Sequence, residues 1–261
     1  MANLMLATIR GDIMIFSYAE FTQFVHHMKD IGKVIPFVEW DHSSNAILLR
    51  HDVDFDIEAA YQLALVEAEC DIRSTFFFLT TCHTYNPFSS TNRNKLREMS
   101  KMGFEIGLHF DPTIYGDANR EDLTAFVNHE AGMLTSIIGT PVNSISLHNP
   151  SVHGLYPLFE GYCNAYDPKF FSDKSYISDS RMDFRGKNPY EFVEKVKEHP
   201  IQILLHPLHY SEHRLSYPEI FYEHLKKYAN DIHDAFLINS TYSKQISPMD
   251  LFSFLVNKGR S

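Results

Sequence analysis

His51-Asp52-Val53-Asp54 places an imidazole and two carboxylates directly after the apolar run Ile47-Leu48-Leu49, and a helical pattern opens after Asp56. Two carboxylates at the end of a buried strand carry a desolvation cost. A metal ion or a proton-transfer task would offset it. Asp is also a common turn former and helix N-cap, so Asp-x-Asp alone leaves both readings open. The same placement recurs along the chain. His109 follows the apolar run 104–108, His148 follows 144–147, Asp179 follows 176–178, and His206 follows 201–205. An imidazole on a strand end can ligate a metal or, titrating near neutrality, move a proton. Asp111 could fix the tautomer of His109 or form a turn with Pro112. His209 is the alternative to His206, which the strand positions better. With 15 histidines in the chain, position rather than residue type singles these out.

The elements that must carry these residues alternate. Apolar spacing predicts helices at 18–30, 57–69 (capped by Asp56), 92–102, 120–138 and 189–198, the last with Pro189 in its first turn. Gly103 and Gly139 close two of them. Between them lie strands at 47–49, 74–79, 104–108, 144–147, 176–178 and 201–205. These are apolar throughout, as in parallel strands covered on both faces. The expected fold class is α/β with parallel strands, and in a parallel α/β barrel the strand ends converge on one face. No Pro/Gly/Ser-rich linker interrupts residues 1–261, so one domain is expected, with residues 1–13 an extension and Met14 a natural start.

Composition narrows the function classes. A net charge of −10 lacks the basic footprint of a nucleic-acid binder, and 44% hydrophobic residues suffice for a sizeable core. Cys70, Cys82 and Cys163 have no metal-finger spacing, and Cys70 and Cys163 read as small apolar fillers. A reduced, cytoplasmic setting is expected. The stretch Met1–Phe16 is broken by Arg10, Gly11 and Asp12, which does not fit a secretory segment, and no later run reads as a membrane span.

Four segments then fall in order: Leu49-Arg50-His51-Asp52-Val53-Asp54, Thr75-Phe76-Phe77, Gly103-Phe104-Glu105-Ile106-Gly107-Leu108-His109 and Leu204-Leu205-His206-Pro207. Together, over about residues 46–210, they resemble the polysaccharide deacetylase family (the NodB-homology domain, carbohydrate esterase family 4). The resemblance implies a distorted (β/α) barrel of about seven parallel strands, a divalent metal, usually zinc, and removal of an N-acetyl group from an amino sugar by a metal-activated water. It makes Asp52 the catalytic base, Asp54 and His109 metal ligands and His206 the general acid. The family more often has adjacent aspartates; here Val53 intervenes. It also places a second His four residues after the first, where this chain has Thr113. His148, in His148-Asn149-Pro150-Ser151, falls where the family has an Arg-containing groove motif. It stands either as the replacement ligand or in place of the Arg that orients the base; Asp111 and His206 are the other candidates for the third ligand. Asp179 and Arg181, in Tyr176-Ile177-Ser178-Asp179-Ser180-Arg181, resemble a further groove motif that tunes the acid or binds substrate.

The implied substrate is an N-acyl amino sugar of a surface-polysaccharide precursor, since no export segment is expected. A groove for a glycan should expose aromatics, for which Tyr85, Phe110, Tyr115, Tyr156, Phe159 and Tyr162 are the candidates. Two other readings compete: a hydrolase of another small C–N substrate, and a non-catalytic member, which the missing His at 113 would favour.

Overall fold

The strand-forming runs become a curled parallel sheet in the computed structural model, which describes residues 15–40, 45–246 and 249–258. The 1–13 extension and Met14 lie outside them. The strands are β1 (Lys33–Ile35), β2 (Ala46–Val53), β3 (Thr75–Phe78), β4 (Glu105–Phe110), β5 (Ser144–Leu147), β6 (Cys163–Asn164), β7 (Tyr176–Ser178) and β8 (Ile201–Leu205). Seven run in the order β6-β5-β4-β3-β2-β8-β7, and β1 pairs with the start of β2. Every pairing is parallel, as in the expected distorted barrel. β6 and β7 are not paired with each other. Gln202 on β8 spans that side with its side chain, donating to the carbonyls of Ala165 (3.0 Å) and Phe170 (3.4 Å).

Helices α1 (Tyr18–Ile31), α2 (Ile57–Glu69), α3 (Ser90–Lys101), α4 (Arg120–Ile138), α5 (Pro150–His153) and α6 (Pro189–Val193) complete this unit, which ends at Arg214. Asp56 caps α2 by accepting from the Glu58 N–H at 2.9 Å, and Gly139 ends α4 in the left-handed region at φ 80°. The helix expected over 189–198 stops at Val193 and tightens into a 3₁₀ turn over Glu194–Lys197. Pro200 disfavours helical backbone at His199 and so enforces the exit. A second unit begins at Leu215 and holds α7 (Tyr217–Phe236), α8 (Ser240–Ile246) and α9 (Leu251–Lys258). Within it His233 and the Tyr242 hydroxyl lie 2.9 Å apart. No helix among the described residues is long and apolar enough to cross a membrane.

Two strands are longer than their apolar runs suggest. β2 continues through Val53 and β4 through Phe110, so Asp52 and His109 sit within strands rather than just past them. The alternation of a strand then sorts β2 by face. His51 turns outward to Glu67 on α2 (2.5 Å) and stacks on Phe76, while Arg50 and Asp52 turn into the barrel. Gly107 leaves room for an interior ring: a Cβ there would stand 2.5 Å from Phe77.

Candidate active site

The barrel interior is polar along one line. Arg50, fully buried, forks onto Asp52 with Nε–Oδ1 at 2.8 Å and Nη2–Oδ2 at 2.7 Å. It also donates to Gln202 (3.1 Å), Tyr166 (3.0 Å) and Ser146. Ser146 donates its one proton to Asp52, 3.2 Å from either oxygen. Burial raises the Asp52 carboxyl's pKa, but Arg50 beside it, together with the His109 and His206 imidazoles, outweighs that and holds it below the usual range. Arg50, rather than His148, therefore orients Asp52. Its only sequence signal was its place two residues before Asp52, on the same face of a strand.

Ser146 also sets the tautomer of His109. Its proton goes to Asp52, so at 3.0 Å it accepts from Nδ1–H of His109. This leaves the Nε2 lone pair of His109 aimed at Asp54 Oδ1 (3.1 Å) and His148 Nδ1 (3.2 Å). His148 Nδ1 is itself 3.4 Å from the same Asp54 oxygen. These three donor atoms lie within 4.8 Å of one another. Two nitrogens and a carboxylate oxygen converging on one point repel unless a proton or cation sits among them. Zinc takes this donor set. Asn149, held left-handed at φ 46°, lies 2.8 Å from His148 Nε2. The amide presents its nitrogen there, a donor, which places the ring proton on Nδ1; only the amide turned about, its oxygen accepting from Nε2–H, would free the Nδ1 lone pair of His148 for ligation. Burial raises the pKa of Asp54, but where no cation stands among the three groups an N–H turned onto it from His109 or His148 holds it well below the carboxylate range. Thr113 turns away to Asp111, which accepts from both its N–H (2.9 Å) and its hydroxyl (2.6 Å). Asp111 thus serves as a turn cap.

His206 faces Asp54 from β8 at 3.8 Å, and its other nitrogen meets Asp179 at 2.6 Å. Asp179 is fully buried and also accepts from the His206 N–H (3.1 Å), from His209 Nδ1 (3.1 Å) and from the Tyr210 hydroxyl (3.4 Å). Burial alone would lower the His206 pKa, but the Asp179 charge and hydrogen bond overcome it and push the imidazole up to about 9. His209 is thus tied to Asp179 and, unlike His206, is not on the cleft lining.

Asp52, Asp54, His109, His148 and His206 line one cleft of ≈ 280 Å³, while Asp179 lies behind His206. Arg181 is exposed and is not brought to the cleft; Arg185 and Lys187 of the same segment line it instead. Tyr156 is on the cleft wall, 42% exposed and 5.7 Å from Tyr166. The other aromatics named from sequence serve packing or the scaffold. Phe110 stacks on Tyr115 and meets Phe159 edge-on, the Tyr85 hydroxyl donates to the Val53 carbonyl, and the Tyr162 hydroxyl donates to Asn128.

No family model matches the chain, and no curated protein matches it. Among solved structures it is similar to a chitin deacetylase from the fungal pathogen Colletotrichum lindemuthianum, at 16% identity and TM-score 0.45, over 76% of this chain and 87% of that one. The Xyl-CE4 domain of a multidomain xylanase from the hindgut metagenome of Trinervitermes trinervoides aligns at 14% identity and TM-score 0.41, over 67% and 74%. A CE4 family pseudoenzyme from Bacillus anthracis aligns at 12% identity and TM-score 0.38, over 70% and 59%.

Proposed function

We propose that the chain is a metal-dependent hydrolase that removes an N-acetyl or similar N-acyl group from an amino sugar. The observation that carries this reading is the grouping of Asp54, His109 and His148 in a cleft that also holds Asp52, gripped by Arg50, and His206, backed by Asp179. The ordered motifs at 49–54, 75–77, 103–109 and 204–207 support the amino-sugar substrate. At ≈ 280 Å³ the cleft sits at the lower end of the roughly 300–1,000 Å³ of ligand pockets in general. That suits one sugar of a surface-polysaccharide precursor better than a long stretch of polymer.

Asp54, His109 and His148 would hold the divalent ion, zinc in the first instance. When bound, it polarises the acyl carbonyl and makes water acidic enough to attack near neutral pH. Asp52 accepts the proton of the attacking water. Arg50 and Ser146 keep Asp52 ionised and its carboxylate plane fixed, so it is charged whenever substrate arrives. His206, protonated at neutral pH because of Asp179, gives its proton to the departing amine. Arg50 and His109 share Ser146, which couples the orientation of the base to that of a ligand.

The test is acetate release from an N-acetylhexosamine by protein as purified, after chelation, and after zinc is restored. Release should vanish with the chelator and return with zinc. Asp52→Asn should keep its metal but lose about 10²–10⁴-fold in turnover. Metal retained without release from any N-acyl sugar would turn the reading toward another C–N substrate or a non-catalytic binding protein.

A further inference from the structure

We propose that Arg185 and Lys187 form an anion subsite in the cleft, so that the amino sugar it takes carries a phosphate or a carboxylate. The inference rests on the deacetylase reading for the sugar, but not for the anion. Both residues are exposed and line the cleft, and neither side chain has a hydrogen bond or ion pair among the described residues. The cleft's other charges are already answered. Asp52 is held by Arg50, and Asp54 faces three imidazoles. Asp173 is the remaining carboxylate on the lining. Once a cation neutralises Asp54, two free positive charges outnumber one negative charge. In a chain of net charge −10, such a spot draws an anion into the cleft rather than onto the surface at large.

The backbone that presents the two cations is strained. Arg181, Met182 and Arg185 lie in the left-handed region at φ 60°, 55° and 56°, followed by Gly186 at 71°. Three non-glycine residues in that region within five positions need surroundings that over-determine them, a pattern that gathers at ligand clamps. The Arg185 N–H donates to Asp183 at 2.7 Å, which anchors the turn through the backbone and leaves the guanidinium uncommitted. A guanidinium fork grips two oxygens of a phosphate or carboxylate, and an ammonium adds a point charge beside it.

The test compares kcat/KM of the zinc-loaded protein for a neutral N-acetylhexosamine, its 1-phosphate, and the corresponding hexosaminuronate. One charged substrate should exceed the neutral one by at least about tenfold, the worth of one charge-assisted hydrogen bond; which of the two does so identifies the anion. In Arg185→Gln/Lys187→Gln that ratio should collapse toward one, and in the charge-preserving exchange Arg185→Lys/Lys187→Arg it should largely recover. Calorimetric binding of hexosamine 1-phosphate and the hexosaminuronate gives a readout that needs no turnover. Equal turnover of charged and neutral sugars would overturn the subsite while leaving the deacetylase reading intact. Anion binding that depends on the two residues, in a protein that releases no acetate, would uphold the subsite and sink the deacetylase reading. Binding of both anions unchanged in the Gln variant would also overturn the subsite.

Discussion

Two Asp-His-His groups stand side by side in this barrel, and their wiring separates them. Asp54 with His109 and His148, and Asp179 with His206 and His209, each bring three potential ligand atoms within 4.8 Å of one another. In the first group the carboxylate meets imidazole nitrogens and opens to the cleft. In the second it is fully buried, and its oxygens are occupied by the His206 backbone N–H, two ring nitrogens and a tyrosine hydroxyl. A carboxylate with that many donors has little capacity left for a cation, but it fixes and charges an imidazole well. On the proposed reading, the same three residue types make a ligand set in one place and an acid with its counter-charge in the other. Ser146 supplies the matching detail for His109 in the first group by setting which of its ring nitrogens is bare.

The largest expected effect is on the ligand side. Asp54→Asn should lose bound zinc and fall to background activity, read by metal analysis beside acetate release. If Asp179→Asn lost zinc equally, the distinction between the groups would be wrong. Next comes His206→Ala, which should keep its metal and lose about 10²–10⁴-fold on an acetamide. It should lose far less on an aryl acetate, whose leaving group needs no proton. Equal losses on both substrates would give His206 a role other than protonating the amine.

Asp179→Asn should have a smaller effect, about 10–100-fold, as for carboxylates that stand behind a functional imidazole. It should also move the alkaline limb of the pH–rate profile. Asp179 raises His206 to about 9, so the wild-type limb falls as pH rises through that value, and the variant should fall at lower pH. Stability follows the same sign. His206 has a raised folded pKa, so its contribution is complete below its unfolded pKa of about 6.5 and is lost as pH rises through about 9. Asp179 has a depressed pKa, so its contribution is present above the unfolded value near 4 and is lost toward acid. Denaturation of wild type and Asp179→Asn should therefore differ more at pH 5.5 than at pH 10. A constant difference would contradict the linkage.

How much of this was legible depended on whether a residue announces itself locally. Asp54, His148, Asp179 and His206 follow strands whose apolar runs stop where the chemistry starts, so position alone exposed them. The 57–69 and 120–138 helices were equally plain, because Asp56 caps one and Gly139 closes the other. Arg50 and Ser146 were not legible, since a buried Arg and a strand Ser gain meaning only when registers bring β2, β5 and β8 together. Arg50 opposes Leu204 on β8, and Ser146 opposes His109 on β4. The two-residue strand β6 carries too short a pattern for any periodicity. Arg185 and Lys187 carry no signal in the sequence, since it is the left-handed turn that sets them on the cleft.

The most direct test of the central claim is a crystal structure of zinc-loaded protein with anomalous data at the zinc edge. The account predicts a single peak among His109 Nε2, His148 Nδ1 and the Asp54 carboxylate, with none beside Asp179. A peak held by Asp179, His206 and His209, or a zinc that leaves His148 uncoordinated, would contradict it.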